Sequence, residues 1–254
     1  MDYKWLFENW SKSKIKAGET CVYSLVLQAK GIKSPSNTFS EIGNEIHSFL
    51  EEYVKLQLKR KIEIDILEQL PTIKQHPTIE NFVKLEKERV ENVESVWWDV
   101  EHYVEVSIPA SELVKHDEKW EQIQQHIKQH FSYDFNGLVL KGFIDRVDDL
   151  NGKKILIDYK TGSLDYVDMD EMWFYALLWW LKYSEIPKIV VLYGLKEGRM
   201  KWQYIDEEML KQYYNQILHR IQKTIFNIFN YFESGELEKN CNKCWWKSVC
   251  DLKE

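Results

Sequence analysis

The chain is poor in glycine and proline, with 10 and 5 in 254 residues, which excludes collagen-like and low-complexity architectures. It has no apolar run near the ~20 residues that span a bilayer. Its opening, Met1-Asp2-Tyr3-Lys4-Trp5, lacks the basic-then-apolar order of a secretory leader, so a soluble, cytoplasmic protein is expected. Four cysteines are too few for a disulfide scaffold and fit a reducing compartment. An excess of positive charge is also missing: 34 Lys+Arg face 41 Asp+Glu, a net charge of −7, without the basic footprint that phosphate binding usually leaves. What is abundant is core material. The sequence is 44% hydrophobic and carries 11 Trp, 14 Tyr and 11 Phe, which argues against disorder. The length suits one large domain or two small ones.

The first forty residues are polar, and residues 11–33 hold five Lys against one Glu. A capping-box pattern, Thr38-Phe-Ser-Glu41, predicts a helix whose buried face is Ile42, Ile46, Phe49, Leu50 and Tyr53. Helical patterning resumes over 62–90, broken near Pro71 and Pro77. Alternation through Tyr103-Val-Glu105-Val predicts a strand over 96–108, and a Gln- and Lys-rich helix is expected over 111–130, with no chemistry evident. Runs at 138–148 and 154–159, separated by Asn151-Gly152, predict a hairpin. An aromatic helix over 168–183 follows. A second hairpin (188–195, 200–204) turns at Glu197-Gly198, and a long amphipathic helix runs over 206–232. The order of elements predicts an α/β fold with a central mixed β-sheet flanked by helices. One domain over 1–254 is expected: a mainly helical part (1–95), a core (96–205), and a helix with a cysteine-bearing tail (206–254).

The first hairpin carries Gly142-Phe-Ile-Asp145-Arg146 and, thirteen residues after Asp145, Asp158-Tyr159-Lys160-Thr-Gly162. Alternation puts Leu156, Asp158 and Lys160 on the face opposite Ile155, Ile157 and Tyr159, and hairpin pairing can bring Asp145 beside Asp158. Two carboxylates and an ammonium at a strand end suit a hard divalent cation that also meets phosphate. Ordinary surface charge on a hairpin explains the same residues about as well.

Gly142-Phe-Ile-Asp145-Arg-Val-Asp148 followed by Ile157-Asp158-Tyr-Lys160-Thr-Gly162 resembles the signature of RecB-like nucleases in the PD-(D/E)XK superfamily, which have a restriction-endonuclease-like core. Upstream, Gly43-Asn-Glu-Ile-His47 matches the family's helix-borne His. Downstream, Glu171-Met-Trp-Phe-Tyr175 stands where the family has Gln-x-x-x-Tyr. The resemblance implies that His47, Asp145, Asp158 and the Tyr159 carbonyl bind Mg²⁺ or Mn²⁺. It also implies that Lys160 helps activate water and that Tyr175 faces the DNA or supports the site. Glu105 is a further candidate acid, or a solvated strand carboxylate. Glu171 departs from the family: Gln can donate a hydrogen bond, while ionised Glu can only accept one.

Cys241-Asn-Lys-Cys244-Trp-Trp-Lys-Ser-Val-Cys250 lies some 220 residues after Cys21. Four thiolates suit zinc or an iron–sulfur cluster. The split placement is similar to the iron–sulfur branch of these nucleases, which includes the AddB nuclease domain and CRISPR-adaptation exonucleases, and implies a [4Fe-4S] cluster, with Zn²⁺ as the alternative. Lys12, Lys14 and Lys16, with Lys30 and Lys33, form the best basic patch for DNA. The implied activity is a metal-dependent DNA exonuclease on single strands or duplex ends, in recombination, repair, phage or CRISPR-related processing. The alternative is a non-catalytic DNA-end-binding or adaptor subunit of a helicase–nuclease complex.

Overall fold

The computed structural model describes residues 1–34, 43–52, 77–92, 95–235, 246 and 250. These fall into two compact units: one of Met1–Ser36, Glu105–Gly142 and Gln212–Glu254, the other of Asn37–Val104 and Phe143–Lys211. Among the described residues no helix is long and apolar enough to cross a membrane.

In the first unit, the polar opening folds into three short helices: α1 (Tyr3–Phe7), α2 (Lys12–Thr20) and α3 (Val22–Ala29). Asp2 and Ser11 cap the first two through their side-chain oxygens. Between α1 and α2, β1 (Asn9–Trp10) pairs in parallel with the start of β3 (Gly137–Leu150), Asn9 against Val139 and Trp10 against Leu140. Gly137, at φ +135°, lies where a Cβ would collide with the Ile108 carbonyl, so glycine is required there.

The single helix expected over 111–130 is two, α6 (Ala110–His116) and α7 (Lys119–Phe131). Asp117 breaks it: its backbone is extended, its carboxylate accepts from the Lys119 N–H at 3.0 Å, and Gln222 donates to the other oxygen at 3.2 Å. The last long helix, α9, runs Glu207–Ser234. Phe229 on α9 meets Phe7 and Phe131 with ring centroids 6.0 and 6.3 Å apart, closing an aromatic core.

The second unit contains most of the mixed sheet. Strands β3, β4 (Lys153–Lys160), β5 (Ile189–Gly194) and β6 (Arg199–Tyr204) neighbour one another in that order. The β3–β4 and β5–β6 pairs are antiparallel and β4–β5 is parallel, crossed over by α8 (Asp170–Tyr183). β2 (Val96–Pro109) pairs with β3 on its other side. The first hairpin turns where expected, with Asn151 and Gly152 at φ 53° and 82°, the doubly left-handed turn that Asn-Gly favours.

One face of the sheet packs Ile155, Ile157, Tyr159, Val191 and Tyr193 against Ile46, Phe49 and Leu50 of α4 (43–52) and Phe82 and Leu85 of α5 (Pro77–Asn92). Helix α8 supplies the buried Met172, Phe174, Leu177, Leu178 and Trp179. Of the expected N-terminal helical pattern, residues 53–76 and the Thr38–Glu41 capping box lie outside the described residues.

Candidate active site

Strand β4 is apolar until it ends in Asp158, Tyr159 and Lys160. Asp158 is only 3% exposed. Antiparallel pairing of Arg146 with Ile157 brings Asp145 and Asp158 to the same end of the hairpin, as the alternation predicted. Asp145 Oδ2 accepts from the Tyr159 N–H at 2.8 Å and lies 3.3 Å from His47 Nδ1 on α4. Asp158 Oδ2 forms an ion pair with Lys160 Nζ at 2.8 Å, in which the buried oxygen meets no well-formed hydrogen bond. Lys160 is better aligned with Glu171 Oε2, at 2.6 Å, and Glu171 Oε1 accepts from the Tyr175 hydroxyl at 3.3 Å. Glu171 and Tyr175, four residues apart on α8, share one face. His47, Asp145, Asp158, Lys160, Glu171 and Tyr175 thus converge.

Two further acids belong to this cluster and were not picked out from the sequence. Glu51, one helical turn after His47, brings a carboxylate oxygen within 4.8 Å of ligand atoms of His47 and Asp145. Glu101 hydrogen-bonds to Glu51 and lines the same pocket with Gly43, Asn44, His47, Ser48 and Thr161. The four-residue step from His47 to Glu51 was a readable signal. Glu101 was not, because it sits in β2 at φ 49°, a left-handed conformation costing a non-glycine residue about 1–2 kcal/mol.

Crowded acids perturb one another. Burial and then the Asp145 charge push the Asp158 carboxyl up to about 8. Burial and the shared contact with Glu101 push Glu51 up to about 8. Burial works against charge on His47, but the hydrogen bond and charge of Asp145 prevail and raise it. Burial likewise opposes the Lys160 ammonium, and Asp158 and Glu171 overcome it and hold the lysine protonated. A pocket with an unsatisfied buried carboxylate oxygen, repelling acids and an imidazole fits a hard divalent cation, whose charge relieves the strain that proton uptake otherwise relieves.

The neighbouring motif residues do something else. Arg146, fully buried, grips Asp148 with two 2.7 Å contacts and reaches Glu86 on α5 at 2.7 Å. Trp97 covers it at 4.9 Å and also donates to Glu86 at 3.1 Å. Arg146 and Asp148 face the core; Asp145, between them and Phe143, faces the site.

The expected basic patch is not a patch. Lys12 and Lys14 are 7% and 6% exposed. Lys14 Nζ donates to the backbone carbonyls of Trp5, Leu6 and Asn9, and lies 4.3 and 4.1 Å over the rings of Trp5 and Trp10. Burial holds its pKa well below the usual lysine range. Lys14 ties α1 to α2 and has no donor left for phosphate. Lys16, Lys30 and Lys33 are exposed, and so is Glu105. Cys21 and Cys250 pack against one cluster of Tyr23, Val26, Leu27, Tyr231 and Trp246, while Cys241 and Cys244 lie outside the described residues.

A mixed sheet carries two acids and a lysine at the end of its central hairpin, faced by a helix-borne histidine, a donor set able to take a divalent cation beside a positive charge. The family model for the PD-(D/E)XK nuclease superfamily matches residues 9–251, and the chain belongs to that superfamily. No curated protein matches. Among solved structures, one from Eubacterium rectale described as a "putative exonuclease" aligns with all of this chain and 92% of its own, at 11% identity and a TM-score of 0.56, a likeness of fold. A second, SSO0001, is 15% identical over 82% of this chain and 85% of its own, at a TM-score of 0.34.

Proposed function

We propose that this chain is a divalent-metal-dependent DNA nuclease, acting as an exonuclease on single strands or duplex ends. The convergence of His47, Asp145 and Asp158 with Lys160 carries the reading. His47, Asp145, Asp158 and the Tyr159 carbonyl would hold Mg²⁺ or Mn²⁺, with Glu51 as a further donor. When bound, such a cation polarises phosphate oxygen and lowers the pKa of water. Lys160 carries its proton beside Asp158 and offers positive charge to the phosphate. Glu171 and Tyr175 set its position.

An exposed aromatic pair favours an unpaired strand. Phe143, two residues before Asp145, and Tyr103, two after Glu101, stand 60% and 45% exposed with ring centroids 4.8 Å apart. Bases stack on such surfaces only when released from the duplex.

A non-catalytic DNA-end-binding or adaptor role has one observation in its favour: Lys160 is engaged by Glu171 at 2.6 Å, where a superfamily nuclease offers Gln. End-labelled single- and double-stranded DNA with Mg²⁺ or Mn²⁺, beside Asp158→Ala and Lys160→Ala, separates the readings. Stepwise loss of label by wild type, abolished in Asp158→Ala, supports the exonuclease. Equal degradation by all three refutes the site, and binding without cleavage under either metal favours the adaptor.

We also propose that Cys21, Cys241, Cys244 and Cys250 hold a [4Fe-4S] cluster joining the two ends of the chain, since Cys21 and Cys250 flank one aromatic cluster. Anaerobically purified protein is then brown, absorbing broadly near ~400 nm. Colourless protein with stoichiometric zinc overturns this.

A further inference from the structure

Helix α7, in which the sequence shows no chemistry, carries His126 and His130 one turn apart, and Glu233 on the last turn of α9 faces them. One donor atom from each of the three lies within 4.8 Å of the others. We propose that His126, His130 and Glu233 form a zinc-class metal site that pins the end of α9 to α7, independent of the nuclease centre.

Three features favour a metal over a chance surface pair. The donors are two imidazole nitrogens and one carboxylate oxygen, the set that suits Zn²⁺ and leaves a position for water. His126 is preset: its Nδ1 is 3.0 Å from the Gln122 carbonyl, which can only accept, so Nδ1 carries the proton and Nε2 keeps its lone pair. Its ring is held by Phe229, 5.4 Å away at 21°, and lies parallel to His130, 5.7 Å away at 7°. His130 Nε2 in turn points at Glu233 Oε1, 3.3 Å away.

Zinc–nitrogen bonds of 2.0–2.1 Å require donors about 3.4 Å apart in tetrahedral array. The His130–Glu233 pair already meets that spacing, and a ring nitrogen of His126 lies within 4.8 Å of both donors. His130 and Glu233 are 45% and 47% exposed, so an ion can enter from solvent. The bland alternative, a solvent-exposed His–Glu ion pair, needs neither His126 nor its fixed tautomer.

The site sits where α9 ends and the cysteine-bearing tail begins. Metal there would hold the departure point of that tail by a crosslink between two helices that otherwise meet through Phe131, Phe229 and Phe232.

The test uses the full chain carrying Asp158→Ala, so that the nuclease centre is impaired, with zinc chloride as the probe. Thermal melting should show zinc raising the midpoint. Adding His126→Ala or His130→Ala should remove that rise, and Glu233→Gln should weaken zinc binding by at least about tenfold. In parallel, long-range ¹H–¹⁵N spectra of the histidine rings should show Nε2 of His126 and a ring nitrogen of His130 shifting on zinc addition, which needs no variant at this site. A rise of undiminished size after loss of both histidines, no rise at all, or unmoved ring resonances each overturns the proposal.

Discussion

The contact between Lys160 and Glu171 sets up the most informative substitution, Glu171→Gln. Glu171 Oε2 holds the ammonium at 2.6 Å while Oε1 accepts from Tyr175 at 3.3 Å. Gln keeps an oxygen for one of these contacts but loses the charge. Bonds to a charged partner contribute about 1.5–3 kcal/mol and neutral ones about 0.5–1.5. The ammonium stays charged in the variant and the pair is partly exposed, so the hold on Lys160 weakens by about 1 kcal/mol, roughly fivefold in an equilibrium. A phosphate must draw Lys160 away from Glu171, and ionised Glu171 also repels that phosphate. The expected outcome is therefore about a fivefold rise in kcat/KM on end-labelled single-stranded DNA, with the melting temperature little changed. Single-turnover assays in Mn²⁺ and Mg²⁺ measure it. A tenfold or larger fall in a variant that melts normally would mean that Glu171 itself takes part in the reaction, and the reasoning from a competing charge would be wrong.

Without divalent metal, Asp158 and Glu51 both titrate near 8 in the folded chain, far above their unfolded values. At these two groups the folded state then binds more protons than the unfolded one, so their contribution to stability is greatest at low pH and is lost as pH rises to about 8. His47, also raised, acts in the same direction. Melting in EDTA should accordingly fall between pH 6 and pH 9, and Mn²⁺ should restore more at the upper end; an EDTA melting point that rises over that range contradicts this. Arg146→Ala strands Asp148 and Glu86 in the core and should cost about 3–5 kcal/mol by chemical denaturation; a loss under 1 kcal/mol would mean the buried pair contributes little. Phe143→Ala in the Asp158→Ala background should weaken binding of single-stranded oligonucleotide by about 1–3 kcal/mol and leave duplex binding nearly unchanged, as read by fluorescence anisotropy. Equal losses on both substrates would place Phe143 outside base contact.

What the sequence disclosed depended on how local the signal was. Asn151-Gly152 sets its hairpin through backbone preference alone, and the thirteen-residue step from Asp145 to Asp158 then places both acids at one end of it. Lys12 and Lys14 looked like a basic patch because charge is read as exposure. Only the fold reveals that three backbone carbonyls from the preceding turn surround the Lys14 ammonium. Polar residues concealed α2 for the same reason, and α1 is only five residues long. The break at Asp117 depends on Gln222, more than a hundred residues away, which no periodicity reports. Glu101 joins the site through a backbone twist rather than a pattern.

Arg146 and Asp148 also decide which way Asp145 points. A strand presents alternate residues to opposite faces, so a slip of one position would put Arg146 in the pocket and send Asp145 into the core. The buried grip of Arg146 on Asp148 and Glu86 can form in only one of the two registers. The hairpin thus carries its own alignment key, in which three residues on the core side determine which face Asp145 takes. A one-residue insertion between Asp148 and Asn151 should therefore disrupt the Arg146 grip and the approach of Asp145 to Asp158 together, whereas Asp145→Asn should leave the hairpin folded.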